Sequence, residues 1–113
     1  MGCFRKFYGK TTIDSSDSDE LQEDFKMELE YYQLENSTSK HQYGIEIVKK
    51  ETKNSQMNIE KKMINNICNR EQETSKLLKI LMTNKVTPIS VEDILQDLAK
   101  TKAIWKNSNR FLF

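Results

Sequence analysis

The side chains that most often carry out chemistry are few in this chain and lie far apart in sequence. Its single histidine, His41, is flanked by Lys40 and Gln42, and neither could work with it as a general base or metal ligand. The two cysteines, Cys3 and Cys68, lack the short spacing of a structural zinc site. We therefore predict an exposed turn histidine and, at Cys68, a buried small thiol. Catalytic residues, cofactors and metals are not expected, and the chain is predicted not to be an enzyme.

The glycines and the acidic run of the chain do not form a ligand-binding loop either. Gly2, Gly9 and Gly44 are too scattered to cradle a phosphate group. The run Asp14–Glu20 superficially resembles a calcium-binding loop, but such a loop needs a glycine at its sixth position and a glutamate at its twelfth. Because the run is rich in like charge and poor in apolar residues, we predict a disordered linker there.

The aromatic residues at the two ends of the chain favour binding to another molecule. Three aromatic side chains lie among basic residues within positions 1–10, and Trp105 precedes Phe111, Leu112 and Phe113 near the other end. Exposed aromatic side chains with basic neighbours dock on membranes or in grooves of partner proteins. Alternatively, the C-terminal segment folds back on the core. We expect Trp105 to anchor the fold, and Phe111, Leu112 and Phe113 to contact an unknown protein partner or a second copy of the chain.

A nucleic-acid-associated regulator is the alternative function. The second predicted helix could serve as a recognition helix, but Glu92, Asp93 and Asp97 would repel the phosphate backbone that dominates affinity for DNA. A lysine-rich sheet face could contact RNA, yet the stacking aromatic residues that such a face uses are missing there. Since the formal net charge is only +1, we do not expect nucleic acid as the partner. The lysines of that face are Lys49, Lys50, Lys53, Lys61 and Lys62.

The chain shows no signal for export or membrane insertion. Its first residues carry charge without the apolar stretch of a secretory signal, and no window reaches the roughly 18 apolar residues of a spanning helix. Gly2 and Cys3 are typical of acylated N-termini, but Lys6 stands where the myristoylation pattern has serine or threonine. We therefore predict a cytoplasmic protein that does not bind membranes.

Length and composition allow one small domain. Of the 113 residues, 36% are hydrophobic and 31% are charged, which suffices for a small core. We predict a disordered N-terminal tail over residues 1–26, consisting of a basic and aromatic start and the acidic linker. A small α+β domain is expected over residues 27–103, and an aromatic C-terminal tail over residues 104–113.

The period of the apolar residues predicts a sheet. Tyr43, Ile45 and Ile47 alternate with polar or small residues, as in a half-buried strand. The alternate positions, which include Glu46 and Val48, are predicted to be mostly solvated, so we expect helices on one face of the sheet only. Polar turns separate this strand from one before and one after it. Turns this short require an antiparallel meander, here of three strands.

Two helices are predicted after the sheet. Asn69 could cap the first helix, with Gln72 reaching back as in a capping box, and Pro88 forbids its continuation. Ser90 and Asp93 form a second capping box. We expect both helices to pack on one face of the sheet. The predicted elements are strands over about residues 28–35, 43–51 and 57–68, and helices over about residues 69–84 and 90–102.

Three segments of the chain resemble one known family. They are Tyr43–Glu51, Ile64–Cys68 and Asn84–Leu98, and the most specific part is the sequence Val-Thr-Pro-Ile-Ser-Val-Glu-Asp that begins at Val86. They are similar to a domain-of-unknown-function family of small clostridial-type proteins from spore-forming bacteria, over residues 29–98. The resemblance implies an intracellular bacterial protein and brings no activity, cofactor or catalytic residue. The predicted function is a non-enzymatic cytoplasmic protein-interaction or regulatory module.

Overall fold

The computed structural model describes residues 3–14, 25–36 and 43–106, with the backbone alone from Ala99 onward. These residues form a four-stranded antiparallel sheet, in the order β1-β2-β3-β4, followed by two helices. The predicted α+β class, the antiparallel sheet and the two helices are confirmed. The elements are β1 Cys3–Asp14, β2 Phe25–Asn36, β3 Tyr43–Lys53, β4 Gln56–Cys68, α1 Glu71–Thr83 and α2 Val91–Lys106.

The prediction of three strands was wrong, because the segment assigned to a disordered N-terminal tail contains β1. This strand pairs with β2 from Cys3 opposite Asn36 to Asp14 opposite Lys26, and the register shifts between Phe7 and Gly9. The shift is a bulge, which interrupts the alternation that marks a strand in the sequence. The strand conformation of β1 therefore depends on its pairing with β2, and the local sequence pattern does not reveal the strand. Most of the predicted acidic linker, Asp14–Glu20, lies outside the described residues.

The core lies between one face of the sheet and the two helices. Leu29 and Tyr31 of β2 and Ile45 and Ile47 of β3 are fully buried, as expected for alternate residues that face the helices. Both helices contribute apolar side chains to the same cluster, which confirms the helical spacing found in the sequence. The buried residues from the helices are Leu77, Leu78, Leu81, Val91 and Leu95.

Helix α1 begins without the predicted capping box. Its N-cap residue is Arg70 instead of Asn69, and no side chain caps it by a hydrogen bond. Thr74, which is buried, donates its hydroxyl to the carbonyl oxygen of Arg70 over 3.0 Å. Glu71 and Glu73 lie in the first turn, where a negative charge interacts favourably with the helix dipole. The dipole and tertiary packing replace the cap that the local sequence suggested.

The connection between the helices is shaped by local backbone hydrogen bonds and is joined to the sheet by one tyrosine. At the end of α1 the amide of Val86 donates to the carbonyl of Leu81 over 2.9 Å, and Lys85 adopts a positive φ of 53°, as in a Schellman motif. The hydroxyl of Tyr31 donates to the carbonyl of Val86 over 2.9 Å. Burial raises the pKa of Tyr31 to about 12, so this hydroxyl stays a donor at neutral pH.

The hairpin between β3 and β4 combines a tight turn with an irregular far end. Asn54 and Ser55 form the turn with φ values of 50° and 68°, which is the geometry of a two-residue type I′ loop. At the far end Tyr43 pairs with Cys68 whereas Ile45 pairs with Ile64, so extra residues of β4 bulge out. The apolar residues of β4 accordingly do not keep to one face, since Met63 lies on the face opposite the helices and Ile64 on the helix side.

Gly44 lies opposite the bulge, and replacing it by alanine is expected to destabilise the fold. An added Cβ would overlap the backbone carbonyl of Ile64 and lie 2.9 Å from the Cα of Asn65. Since backbone cannot rotate away, we expect Gly44→Ala to lower the free energy of unfolding by about 1–3 kcal/mol, measured by urea denaturation. Gly9→Ala is the matched control, because its Cβ would meet only the flexible side chain of Met82. Equal midpoints for the two variants would contradict the close approach at Gly44.

Candidate functional site

The face of the sheet opposite the helices is the candidate site, and we call it the open face. Side chains alternate along each strand, so the residues between those of the core point to this face. It has a polar part on β1, β2 and β3 and an apolar part on β4. The residues that define it here are Arg5, Phe7, Lys10, Glu28, Glu30, Tyr32, Glu46, Val48, Lys50, Met57, Ile59, Lys61 and Met63.

The centre of the polar part is a buried carboxylate beneath an arginine. Glu46 is only 2% exposed, and its carboxylate accepts a hydrogen bond from Nε of Arg5. The guanidinium carbon of Arg5 lies 3.6 Å from the ring centroid of Tyr32, which is a cation–π contact. The ring of Phe7 meets the same tyrosine edge-on, with 5.6 Å between centroids. Three neighbouring strands are thereby joined on the open face.

The prediction that Glu46 and Val48 are solvated was wrong. Val48 is 4% exposed and lies in register between Glu30 of β2 and Lys61 of β4, whose longer side chains flank it. Glu46 is covered by Arg5, which belongs to the strand that the sequence did not reveal. Burial on this face therefore comes from side chains of neighbouring strands and does not require a second layer of helices.

A chain of hydrogen bonds extends the polar part along β2. The carboxylate of Glu30 accepts the hydroxyl of Tyr32 over 2.8 Å and the ammonium of Lys50 over 3.2 Å. Burial alone would raise the pKa of Glu30, but these bonds, together with the charges of Lys50 and Lys10, outweigh it and lower that pKa. Burial, and then the hydrogen bond to Glu30, raise the pKa of Tyr32. Glu30 is thus held as a carboxylate, and Tyr32 as a neutral donor to it.

The apolar part of the open face lies on β4, the strand at the edge of the sheet. Met57, Ile59 and Met63 are 60%, 54% and 52% exposed. They occupy alternate positions, so they lie on one side of the strand. Large apolar side chains that stay exposed next to one another mark an interaction surface more often than scattered ones do. The sequence alone does not reveal this patch, because methionine and isoleucine are also common in buried cores.

A second, smaller feature is a cleft of about 590 Å³ between β1 and α1 on the helix side of the sheet. Gln33, which is 5% exposed, donates its amide to the carboxylate of Glu71 over 3.1 Å at the base of this cleft. Lys6, Tyr8 and Lys76 also line it. The described lining residues provide amine, amide, hydroxyl, carboxylate and phenol groups, and no histidine or cysteine is among them. The sequence could not predict the cleft, because β1 forms one of its walls.

The structure places some of the residues that the sequence singled out, and others lie outside the described part. Cys68 is fully buried, as predicted. His41 and the segment 111–113 lie outside the described residues, as does the side chain of Trp105, although α2 continues to Lys106. Within the described ranges, no three His, Cys, Asp or Glu side chains form a group that could hold a metal ion.

The predicted lysine-rich face is divided between the two faces of the sheet. Lys49 and Lys62 lie on the helix side, where they pair with Glu60 over 2.7 Å and with Glu92 over 3.1 Å. On the open face Lys50 pairs with Glu30. Strand alternation separates lysines that are adjacent in sequence, so they do not form one basic surface.

Comparisons with known proteins support the part of the predicted resemblance that assigns the chain to a family of unknown function. In the described part of the chain, none of the helices has the length and apolar character needed to cross a membrane. No curated protein and no solved structure matches the chain. Residues 10–101, from the second half of β1 into α2, match a family of unknown function, DUF6514. Because this match spans most of the chain, the protein belongs to the DUF6514 family.

Proposed function

We propose that this protein is a non-enzymatic protein-interaction or regulatory module that binds through the β4 part of its open face. The observation that carries the proposal is the exposure of Met57, Ile59 and Met63, each more than half accessible, on one side of an edge strand. Burying such a patch against a partner releases water from apolar surface, which is the main driving force of association.

The polar part of the open face supports this function because it fixes the surface around the patch. Arg5 stacks on Tyr32 and pairs with Glu46, so these side chains already have their partners before any contact forms. A surface that is ordered in the free protein loses less conformational entropy on binding. An apolar centre beside satisfied polar groups is also the usual composition of a protein interface.

Phe111, Leu112 and Phe113 are a second contact in the same proposal. Their support is the sequence alone, since they follow the polar segment Asn107–Asn109 and are not held by the periodicity of the helix. The bacterial cytoplasm is the setting that the resemblance to clostridial-type proteins implies. The proposal assigns no cofactor, metal, membrane or nucleic-acid partner.

Replacing Ile59 by lysine is expected to abolish partner capture without unfolding the protein. Ile59 is 54% exposed, so the change should alter stability by less than about 0.5 kcal/mol. Tagged full chains would be used to capture proteins from the native cell, and bound proteins would be quantified by mass spectrometry. Ile89→Lys is the matched control, because Ile89 is 73% exposed and belongs to the connection between the helices instead of β4. A parallel deletion of residues 111–113 tests the second contact.

Two outcomes would contradict the proposed function. One is equal capture by the wild-type chain and the Ile59→Lys variant, which would exclude β4 as the contact surface. The other is tight binding to duplex DNA or RNA that weakens steeply with salt, because phosphate contacts produce that dependence. For the C-terminal segment, unfolding of the deletion variant would show that Phe111–Phe113 belongs to the core.

A further inference from the structure

We propose that the partner of β4 is the β4 strand of a second copy of this chain, paired antiparallel about a twofold axis at Lys61. This inference rests on the proposed function and names its partner. In the resulting dimer two four-stranded sheets would join into one continuous sheet.

The free edge of β4 provides the backbone groups for such pairing. Among the described residues, β4 is hydrogen-bonded to a strand on one side only, where it pairs with β3. Every second residue of an edge strand directs its amide and carbonyl outward, where another strand can bind them.

The two edges of the sheet differ in how regular they are. In β1 the register shift between Phe7 and Gly9 lies near the middle of the strand, and such bulges hinder edge pairing. In β4 the irregularity begins only after Ile64, and the pairing with β3 runs without a shift from Gln56 to that residue. The stretch Gln56–Ile64 therefore keeps one register throughout, which favours β4 over β1 as the edge that pairs.

The side chains of β4 complement those of a second β4 in one register. With the axis at Lys61, each residue faces the residue equally distant on the other side of Lys61. Ile59 then faces Met63 of the second copy, and Glu60 faces Lys62 of the second copy. Twofold symmetry repeats both pairs, giving two apolar pairs on the open face and two pairs of opposite charge on the helix side.

Neighbouring registers lose this match. With the axis at Glu60, two glutamates face each other and Ile59 faces Lys61. With the axis at Lys62, two copies of Lys62 face each other and Met63 faces Lys61. The register at Lys61 has one like-charged pair, on the axis itself, where Lys61 is exposed and its long side chain can extend into water.

The ion pairs already present continue across this register with alternating sign. Within one copy Lys49 pairs with Glu60, and Lys62 pairs with Glu92. Placing Glu60 beside Lys62 of the second copy links these pairs into a series of alternating charge. The series runs from Lys49 to Glu60 of one copy and then to Lys62 and Glu92 of the other. Such a series favours this register over its neighbours, because like charges opposite each other on adjacent strands are destabilising.

The test uses two charge-reversed full chains, each alone and mixed. Glu60→Lys places lysine against Lys62 in its own dimer, and Lys62→Glu places glutamate against Glu60. We expect the dissociation constant of each variant alone, measured by sedimentation equilibrium, to rise by about tenfold or more over wild type. Mixing the two variants pairs opposite charges at both positions, so a mixed dimer should form with affinity close to wild type. Each variant loses the same ion pair within its own chain whether it is measured alone or in the mixture. A difference in affinity between the two measurements therefore reports the contact between copies.

A second pair of variants uses exposed positions and avoids disturbing the ion pairs within the chain. Ile59→Glu alone and Met63→Lys alone should each weaken the dimer, because both lose apolar pairs. Their mixture should dimerise better than either, since one Glu–Lys pair and one Ile–Met pair form across β4. Circular dichroism would show whether each variant is folded. The pair of variants in which both chains fold then decides the test.

The outcomes separate this inference from the proposed function. A monomeric wild type, or a mixture that dimerises no better than its components, would overturn the β4 dimer. If the wild type is monomeric and Ile59→Lys still abolishes capture of another protein, the proposed function stands and only the second copy is wrong. If capture and dimerisation are both insensitive to β4, the two proposals fail together.

Discussion

Replacing Leu81 by alanine is expected to lower the free energy of unfolding by about 2–5 kcal/mol. Leu81 is fully buried in α1 within the core cluster formed by the sheet and both helices, and a closely packed core relaxes only partly around a cavity. Leu95 on α2 is equally buried, so Leu95→Ala should cost a similar amount. Urea denaturation followed by circular dichroism measures both.

The control for this prediction lies one residue away on the same helix. Ile80 is 42% exposed whereas Leu81 is fully buried, so Ile80→Ala removes a side chain of comparable size that already lies partly in solvent. We expect it to cost less than half of the loss at Leu81. Unchanged urea midpoints for Leu81→Ala and Leu95→Ala would mean that the helical faces are assigned wrongly.

Replacing Arg5 by methionine is expected to destabilise the protein by about 3 kcal/mol. The change leaves the carboxylate of Glu46, whose side chain is 3% exposed, without its guanidinium partner. Removing one member of a buried ion pair commonly costs about 3–5 kcal/mol, and we expect the lower end because the side chain of Arg5 is 48% exposed and water can partly replace it. Thermal and urea denaturation of the full chain would measure the loss.

A double variant and a surface control make this second prediction specific. Arg5→Met combined with Glu46→Met should recover most of the lost stability, since apolar residues of similar volume can replace a buried ion pair. Lys10→Met breaks the more exposed pair with Glu28, which links β1 to β2 over 3.3 Å, and should cost no more than about 1 kcal/mol. If Arg5→Met is no worse than Lys10→Met, β1 does not cover Glu46 as described.

Local patterns in the sequence were sufficient to predict β3 and the two helices. The alternation of Tyr43, Ile45 and Ile47 identified β3, and the breaking Pro88 separated the two helices. Leu81 and Leu95 were recognised as core residues because helical spacing repeats within a few residues. In each case the residues that carry the signal also form the element, so no distant part of the chain is needed to interpret it.

By contrast, β1 and the open face could be recognised only in the three-dimensional structure. The bulge between Phe7 and Gly9 removes the alternation from β1, and its pairing partners in β2 lie beyond the acidic run. Glu46 is buried because Arg5, 41 residues away in sequence, lies over it. Met57 and Ile59 have the composition of core residues but stay exposed, because the helices pack on the other face. Burial depends on which distant strands become neighbours, and local sequence patterns do not encode that choice.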